Sequence, residues 1–231
     1  MRILVLEHDA DAPAALLVAW ADSRGHELEV VPGREPDAWP AIDEFDAVVS
    51  LGSEQSATQS DVPWVAREIE VLARAHDSRI PLLGICFGGQ ALAKALGGMV
   101  ARAARREVTW RTVPSAEPDL VPEGPWLFWH EDVFTLPPGA RLLSGTPDET
   151  VSFISAASIG LQFHPEADTG CAETWLNGAR PKWESYGVDE RQLRSEIERY
   201  GPDAQERAFD LFDRLAAWWA MAAAEEPGRA A

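Results

Sequence analysis

Short apolar runs set off by Pro and Gly alternate along the chain with segments whose apolar residues recur at helical spacing. Ile3 to Leu6 reads as a first buried strand. Residues 14–24 follow as a helix with Ala15, Leu16, Ala19 and Trp20 on one face, closed by Gly25. Residues 28–31 and 46–51 read as second and third strands, with a Pro-punctuated loop at 32–40 between them. A helix opened by Asp61 and Pro63 carries Val65, Ile69, Leu72 and His76 on one face. Leu82, Leu83 and Ile85 then form a short run after Pro81, as suits a central strand buried on both faces. Ala91, Leu92, Ala95 and Leu96 continue at helical spacing to a Gly97-Gly98 stop. Strands alternating with helices in this way predict a mostly parallel α/β sheet with helices on both faces.

Beyond residue 98 the pattern changes. Residues 99–113 and 126–155 read as shorter strands broken by Pro and Gly, expected to extend the sheet with antiparallel or mixed strands. Residues 159–163 form a last buried strand. Helical spacing then returns at 173–179, 189–200 and 204–224, where Ala208, Leu211, Phe212, Leu215, Trp218 and Trp219 make one apolar stripe expected to dock on the sheet. One domain over residues 1–231 is the expected organisation, with a helical segment at 167–224 and a frayed tail at 225–231.

The chain has 231 residues, 46% apolar and 25% charged, an ordinary globular composition. Its formal charge of −18 opposes binding to nucleic-acid phosphates or an anionic membrane surface. No apolar run approaches the ~20 residues needed to span a bilayer, and the N-terminus turns acidic at Glu7 instead of reading as a signal peptide. The two cysteines, Cys86 and Cys171, are too few for a disulfide scaffold, and no Cys/His cluster has zinc spacing. These features predict a cytoplasmic protein with no metal and no cofactor.

Candidate chemistry sits where the fourth strand meets its helix. Gly84-x-Cys86-x-Gly88 is the cysteine form of a nucleophile elbow, in which a sharp turn lifts a side chain out of the sheet. At the helix N-terminus Cys86 meets the positive end of the dipole and unpaired N–H groups, which favour a thiolate and can hold an oxyanion. Far downstream, the 159–163 strand ends in His164-Pro165-Glu166. Pro165 fixes the chain direction, so a carboxylate two residues past the imidazole can turn back onto its far nitrogen and hold the tautomer. Cys, then His-x-Glu, is a workable order for a nucleophile, base and orienter.

Leu83-Gly84-Ile85-Cys86-Phe87-Gly88-Gly89-Gln90 and Gly160-Leu161-Gln162-Phe163-His164-Pro165-Glu166 together resemble the class I glutamine amidotransferase family, specifically proteins similar to the amidotransferase domain of GMP synthase. Weaker matches are Trp129-His130-Glu131-Asp132 and Glu107-Val108-Thr109-Trp110. The resemblance implies a flavodoxin-like fold and hydrolysis of the glutamine side-chain amide through a thioester on Cys86, with His164 and Glu166 completing a triad. It implies an oxyanion hole from N–H groups at Gly52 or Ser53 and at Phe87. It also implies substrate contacts at Gln90 and along His130, Glu131 and Asp132. Three positions depart from the family: Ser53 stands where a second Gly is usual, Glu54 where Pro is common, and Glu131 where a Gly often stands. Ammonia would pass to an acceptor such as a separate synthetase. Two rival readings share these residues: a γ-glutamyl hydrolase or peptidase with the same triad, and a regulatory binding subunit with weakened activity. Cys171 is expected to play no part.

Overall fold

The computed structural model describes residues 1–59, 61–146, 149–179 and 188–224. Strands β1 (Arg2–Glu7), β2 (Glu27–Pro32), β3 (Ala47–Ser50) and β4 (Leu82–Ile85) alternate with helices α1 (Ala15–Arg24), α2 (Pro63–Asp77) and α3 (Phe87–Ala95). There follow β5 (Val100–Arg111), β6 (Trp126–Phe134), β7 (Arg141–Thr146), β8 (Glu149–Ser155) and β9 (Ser158–Leu161), then α4 (Thr169–Ala179), α5 (Glu190–Tyr200) and α6 (Ala204–Ala224). Among the described residues the main sheet has seven strands in the order β2-β1-β3-β4-β9-β8-β7. Strands β2, β1, β3, β4 and β9 run parallel, and β8 and β7 extend the far edge in antiparallel pairing. This is an α/β fold.

Side-chain alternation along the strands sorts the core into two layers. Ile3, Val5, Val49, Leu83, Ile85, Ile159 and Leu161 face one way, against α1, α6 and the aromatic side chains Trp126, Phe128 and Phe163. Leu4, Leu6, Val48 and Leu82 face the other, against Val65, Leu72 and Ala75 of α2 and Ala91 and Leu92 of α3. The α6 stripe docks chiefly on α1: the Trp20 and Phe212 rings lie 5.5 Å apart, and Trp20 Nε1 donates to Asp213 Oδ1 at 2.8 Å.

Three expectations need correction or qualification. Strands β5 and β6 do not extend the main sheet but form a separate two-stranded antiparallel ribbon. On α1 the buried positions are Leu16, Leu17, Trp20 and Ala21, while Ala19 faces solvent; α6 packs on the Trp20 side of the helix and leaves Ala19 uncovered. The tail at 225–231 lies outside the described residues, as does part of the 167–224 segment. Among the described residues no helix is long and apolar enough to cross a membrane, and no His/Cys/Asp/Glu group could hold a metal ion.

Candidate active site

The carboxyl ends of β1, β3, β4 and β9 open on a cavity of about 350 Å³. Cys86, immediately after β4, has φ 52° and ψ −105°, a conformation that costs an L-residue about 1–3 kcal/mol and needs surrounding structure to hold it. Three backbone bonds do so: Cys86 N–H donates to Leu161 O at 2.8 Å, Gly88 N–H to Leu51 O at 3.1 Å, and Gln90 N–H to Cys86 O at 2.9 Å. The flanking glycines are required by space. A Cβ on Gly84 would lie 2.4 Å from Gly88 O, and one on Gly88 would lie 2.1 Å from Ser50 O, so α3 seats directly on the ends of β3 and β4. With the Cys86 and Gly88 amides spent, the Phe87 N–H has no backbone partner among the described residues, an open donor at the start of α3.

β9 delivers the second group. His164 is held by its own N–H to Leu127 O at 2.8 Å and by an edge-on contact of its ring with Trp175, centroids 4.9 Å apart. Its Nδ1 donates to Glu166 Oε1 at 2.7 Å, and both side chains are almost fully buried. The other ring nitrogen, Nε2, has no hydrogen-bond partner among the described residues. Burial disfavours the imidazolium, but the Glu166 carboxylate, with the adjoining Cys86 sulfur, outweighs it and lifts the His164 pKa well above its ordinary value. Two further contacts touch the thiol: Gln162 Nε2 donates to Cys86 Sγ at 3.8 Å, and Cys86 Sγ donates to Trp129 O at 3.7 Å.

Residues 14–176 match the family profile described as glutamine amidotransferase class-I. The chain belongs to the class-I glutamine amidotransferase family. It is 31% identical over 216 residues to GMP synthase [glutamine-hydrolyzing] of Thermus thermophilus, an alignment covering 87% of this chain and 42% of that protein, so the chain spans less than half of that relative's length. It is 28% identical over 155 residues to a GMP synthase [glutamine-hydrolyzing] subunit of Saccharolobus solfataricus, covering 62% of this chain and 77% of the relative. The crystal structure of a glutamine amidotransferase from Thermotoga maritima superposes with a TM-score of 0.83 at 24% identity, covering 93% of this chain and 97% of that one. The fold is that of the class-I amidotransferases.

The other residues singled out by the amidotransferase resemblance lie around the same cavity. Gly52, Ser53, Gln90, His130, Glu131 and Asp132 line it beside Cys86 and His164, while Glu166 is bonded to His164 and the Phe87 side chain is buried outside the lining. At Gly52 a Cβ would come within 2.9 Å of His164 Cε1, so this position has no room for a side chain. Ser53 needs no glycine: it lacks a positive φ, and its Oγ donates to Asp9 Oδ2 at 3.0 Å while the same carboxylate oxygen accepts from Glu54 N–H at 2.8 Å. Glu54 itself is exposed. Glu131 is neutralised by Arg102 and Arg106. Gln90 Nε2 and His130 Nδ1 both donate to Asp132 O at 3.0 Å, and His130 Nε2 lies 3.0 Å from Glu107 Oε2. Burial would raise the Glu107 pKa, but hydrogen bonds from His130 and Arg111 bring it below its ordinary value.

Sequence reasoning gave no role to Gln162, Trp129, Trp175 or Arg102. Gln162 carried a usable signal, a polar side chain in an otherwise apolar buried strand end, where a polar group needs a partner. Trp175 and Arg102 carried none, since helical spacing and ribbon pairing had first to be known.

Proposed function

We propose that the protein hydrolyses the side-chain amide of glutamine to glutamate and ammonia, with Cys86 as nucleophile, His164 as proton carrier and Glu166 as orienter. The observation that carries this reading is a thiol on a strained turn at a helix start, beside a buried imidazole whose Nδ1 is committed to a carboxylate and whose Nε2 is uncommitted. The Cys86 proton passes to Nε2, and Sγ attacks the amide carbon, forming the S–C bond and placing negative charge on the former carbonyl oxygen. The Ser53 and Phe87 N–H groups stabilise that oxyanion. His164 returns its proton to the amide nitrogen, the C–N bond breaks, and ammonia leaves a thioester. Water then gives a proton to Nε2 and attacks the thioester carbon; collapse breaks the S–C bond and restores the thiol.

The likeness to a relative named as one subunit of GMP synthase supports transfer of ammonia to a synthetase made as a separate chain. The pairing of Glu131 with Arg102 and Arg106 favours glutamine over a peptide, because it withdraws one of the two carboxylates that could hold an amine-bearing leaving group. The test compares kcat/KM for glutamine with that for γ-glutamyl dipeptides and glutathione. Glutamine is expected to be preferred. A tenfold preference for peptides, about 1.4 kcal/mol of differential transition-state binding, would replace the amidotransferase reading with that of a γ-glutamyl peptidase. Absence of turnover on all of them would point to a binding subunit.

A further inference from the structure

A second buried histidine–carboxylate pair lies beside the first and takes no part in the steps above. His8, one residue past β1, and Glu68 of α2 have no exposed side-chain surface, and His8 Nε2 lies 2.8 Å from Glu68 Oε2. Ser50, the last residue of β3, donates its Oγ to Glu68 Oε1 at 2.5 Å. The other ring nitrogen, His8 Nδ1, lies 3.3 Å from Gly52 O. A carbonyl oxygen can only accept, so Nδ1 carries the hydrogen. The polar chain therefore runs Ser50, Glu68, His8 and ends on the carbonyl of Gly52.

Three further neighbours pack against the imidazole. Trp64 stacks on it with centroids 5.2 Å apart, and Phe87 meets it edge-on at 5.0 Å. A Cβ on Gly33 would fall 2.4 Å from His8 Cδ2, so that side closes on bare backbone. Burying such a pair is costly, and apolar side chains of similar volume would fill the space at least as stably. What the pair does that they could not is hold one particular peptide group.

We infer that His8 is a positioning residue for the oxyanion hole: its Nδ1–H fixes the Gly52–Ser53 peptide so that the Ser53 N–H faces the cavity. This rests on the hydrolytic reading above. The Gly52–Ser53 bond is not cis, and in a planar trans peptide the C=O and N–H point in opposite directions. Drawing Gly52 O toward His8 thus turns Ser53 N–H away from it. Gly52 and Ser53 line the cavity and His8 does not, so away from His8 is toward the substrate. The same ring braces Phe87, the residue supplying the other open N–H, so one imidazole steadies both donors. The crevice it fills lies between β1 and β3, where the strand order reverses direction, the place where ligands gather in doubly wound sheets.

The test uses three variants of the full chain. His8→Asn keeps a donor near the Nδ1 position, His8→Gln keeps one near Nε2 and loses the bond to Gly52 O, and Ser50→Ala loosens Glu68 with the ring left in place. Loss of one oxyanion donor costs on the order of a hundredfold in kcat. His8→Gln should show about that loss with KM nearly unchanged, His8→Asn should regain most of it, and Ser50→Ala should lose several-fold. Alkylation of Cys86 by iodoacetamide forms no oxyanion and should keep its rate in all three. The Gly52 carbonyl ¹³C resonance should move in His8→Gln and stay near its original position in His8→Asn. An unmoved resonance in His8→Gln would overturn the inference, as would equal loss of turnover and of alkylation in both His8 variants, which marks a merely structural role. A wild-type protein inactive on glutamine and γ-glutamyl peptides, with the resonance moving as described, would instead sink the hydrolytic reading and leave the His8 bond standing. Should His8→Gln fail to fold, an unchanged kcat and Gly52 resonance in Ser50→Ala would overturn the inference.

Discussion

The two cysteines are a close comparison. Cys86 is 6% exposed and Cys171 is 7% exposed, and each sits at the start of a helix. Neither burial nor the helix dipole therefore separates them. Their neighbours do. Cys86 faces His164 and accepts an N–H from Gln162. Cys171 has a carboxylate: its N–H donates to Asp168 Oδ1 at 2.8 Å, and burial, with Asp168 adding to it, pushes the thiol up to about 12. Cys86 also occupies a φ of 52°, whereas Cys171 is not among the positive-φ residues. A thiol becomes usable when a proton acceptor stands beside it and the backbone lifts it into a cavity; a helix start alone does neither.

The comparison breaks most sharply under substitution. Cys86→Ser should lower glutamine turnover on the order of a millionfold, and His164→Ala should match it because nucleophile and base act as a unit. Cys171→Ser should leave turnover within about twofold, the small effect usual for a change away from the chemistry. Assays of the three purified variants decide it, and activity in Cys86→Ser with none in Cys171→Ser would reverse the assignment. Alkylation should come next in size. A thiol with a pKa of about 12 is ionised in only about one molecule in 10⁵ at pH 7, so limiting iodoacetamide followed by peptide mapping should find label on Cys86 and almost none on Cys171. Glu166→Gln leaves the ring in place but misassigns its tautomer, and should cost on the order of 10⁴-fold in kcat, less than loss of the imidazole itself.

Smaller effects sharpen the contrast. Gln162→Ala removes one N–H from Cys86 Sγ, a hydrogen bond worth about 0.5–1.5 kcal/mol, and should slow alkylation of Cys86 a few-fold without touching Cys171. Last comes alkaline stability. The unfolded chain releases the Cys171 proton near its ordinary value of 9.0, while the folded chain keeps it to about 12. Over that window the unfolded state binds fewer protons, so stability falls as pH rises, and below it the group contributes no pH dependence. Cys171→Ala should flatten that part of a denaturation-against-pH profile, and an unchanged slope would contradict the assignment.

Much of this was legible in the chain because its signals are local. The strand, elbow and helix from Pro81 to Gly98 announce themselves through a short apolar run, a glycine two positions to either side of a cysteine and a helical repeat, all within one stretch. Which sheet a strand joins is not local: β5 and β6 have ordinary strand patterns, and only their pairing with each other, with a register shift between Arg102 and Glu107, sets them apart. That pairing also brings Arg102 beside Glu131 and Asp132, which is why Glu131 looked like a free carboxylate in the sequence and is not one in the fold. His8 and Glu68 were silent for the same reason. A single histidine after a strand and a single glutamate in a helix, 60 positions apart, have no spacing to connect them.

The insertion of β9 beside β4 sets an order of assembly. Leu82 to Ile85 pair with Ser158 to Leu161, and the Cys86 amide is tied to Leu161 O. A ribosome making this chain exposes the elbow long before β9 emerges, and a parallel pairing so distant in sequence closes late. The strand that completes the turn under Cys86 is the same strand that carries His164 into place. A nascent or truncated chain lacking β9 thus holds an unbraced thiol with no imidazole beside it, and on the proposed reading hydrolysis waits for the finished sheet.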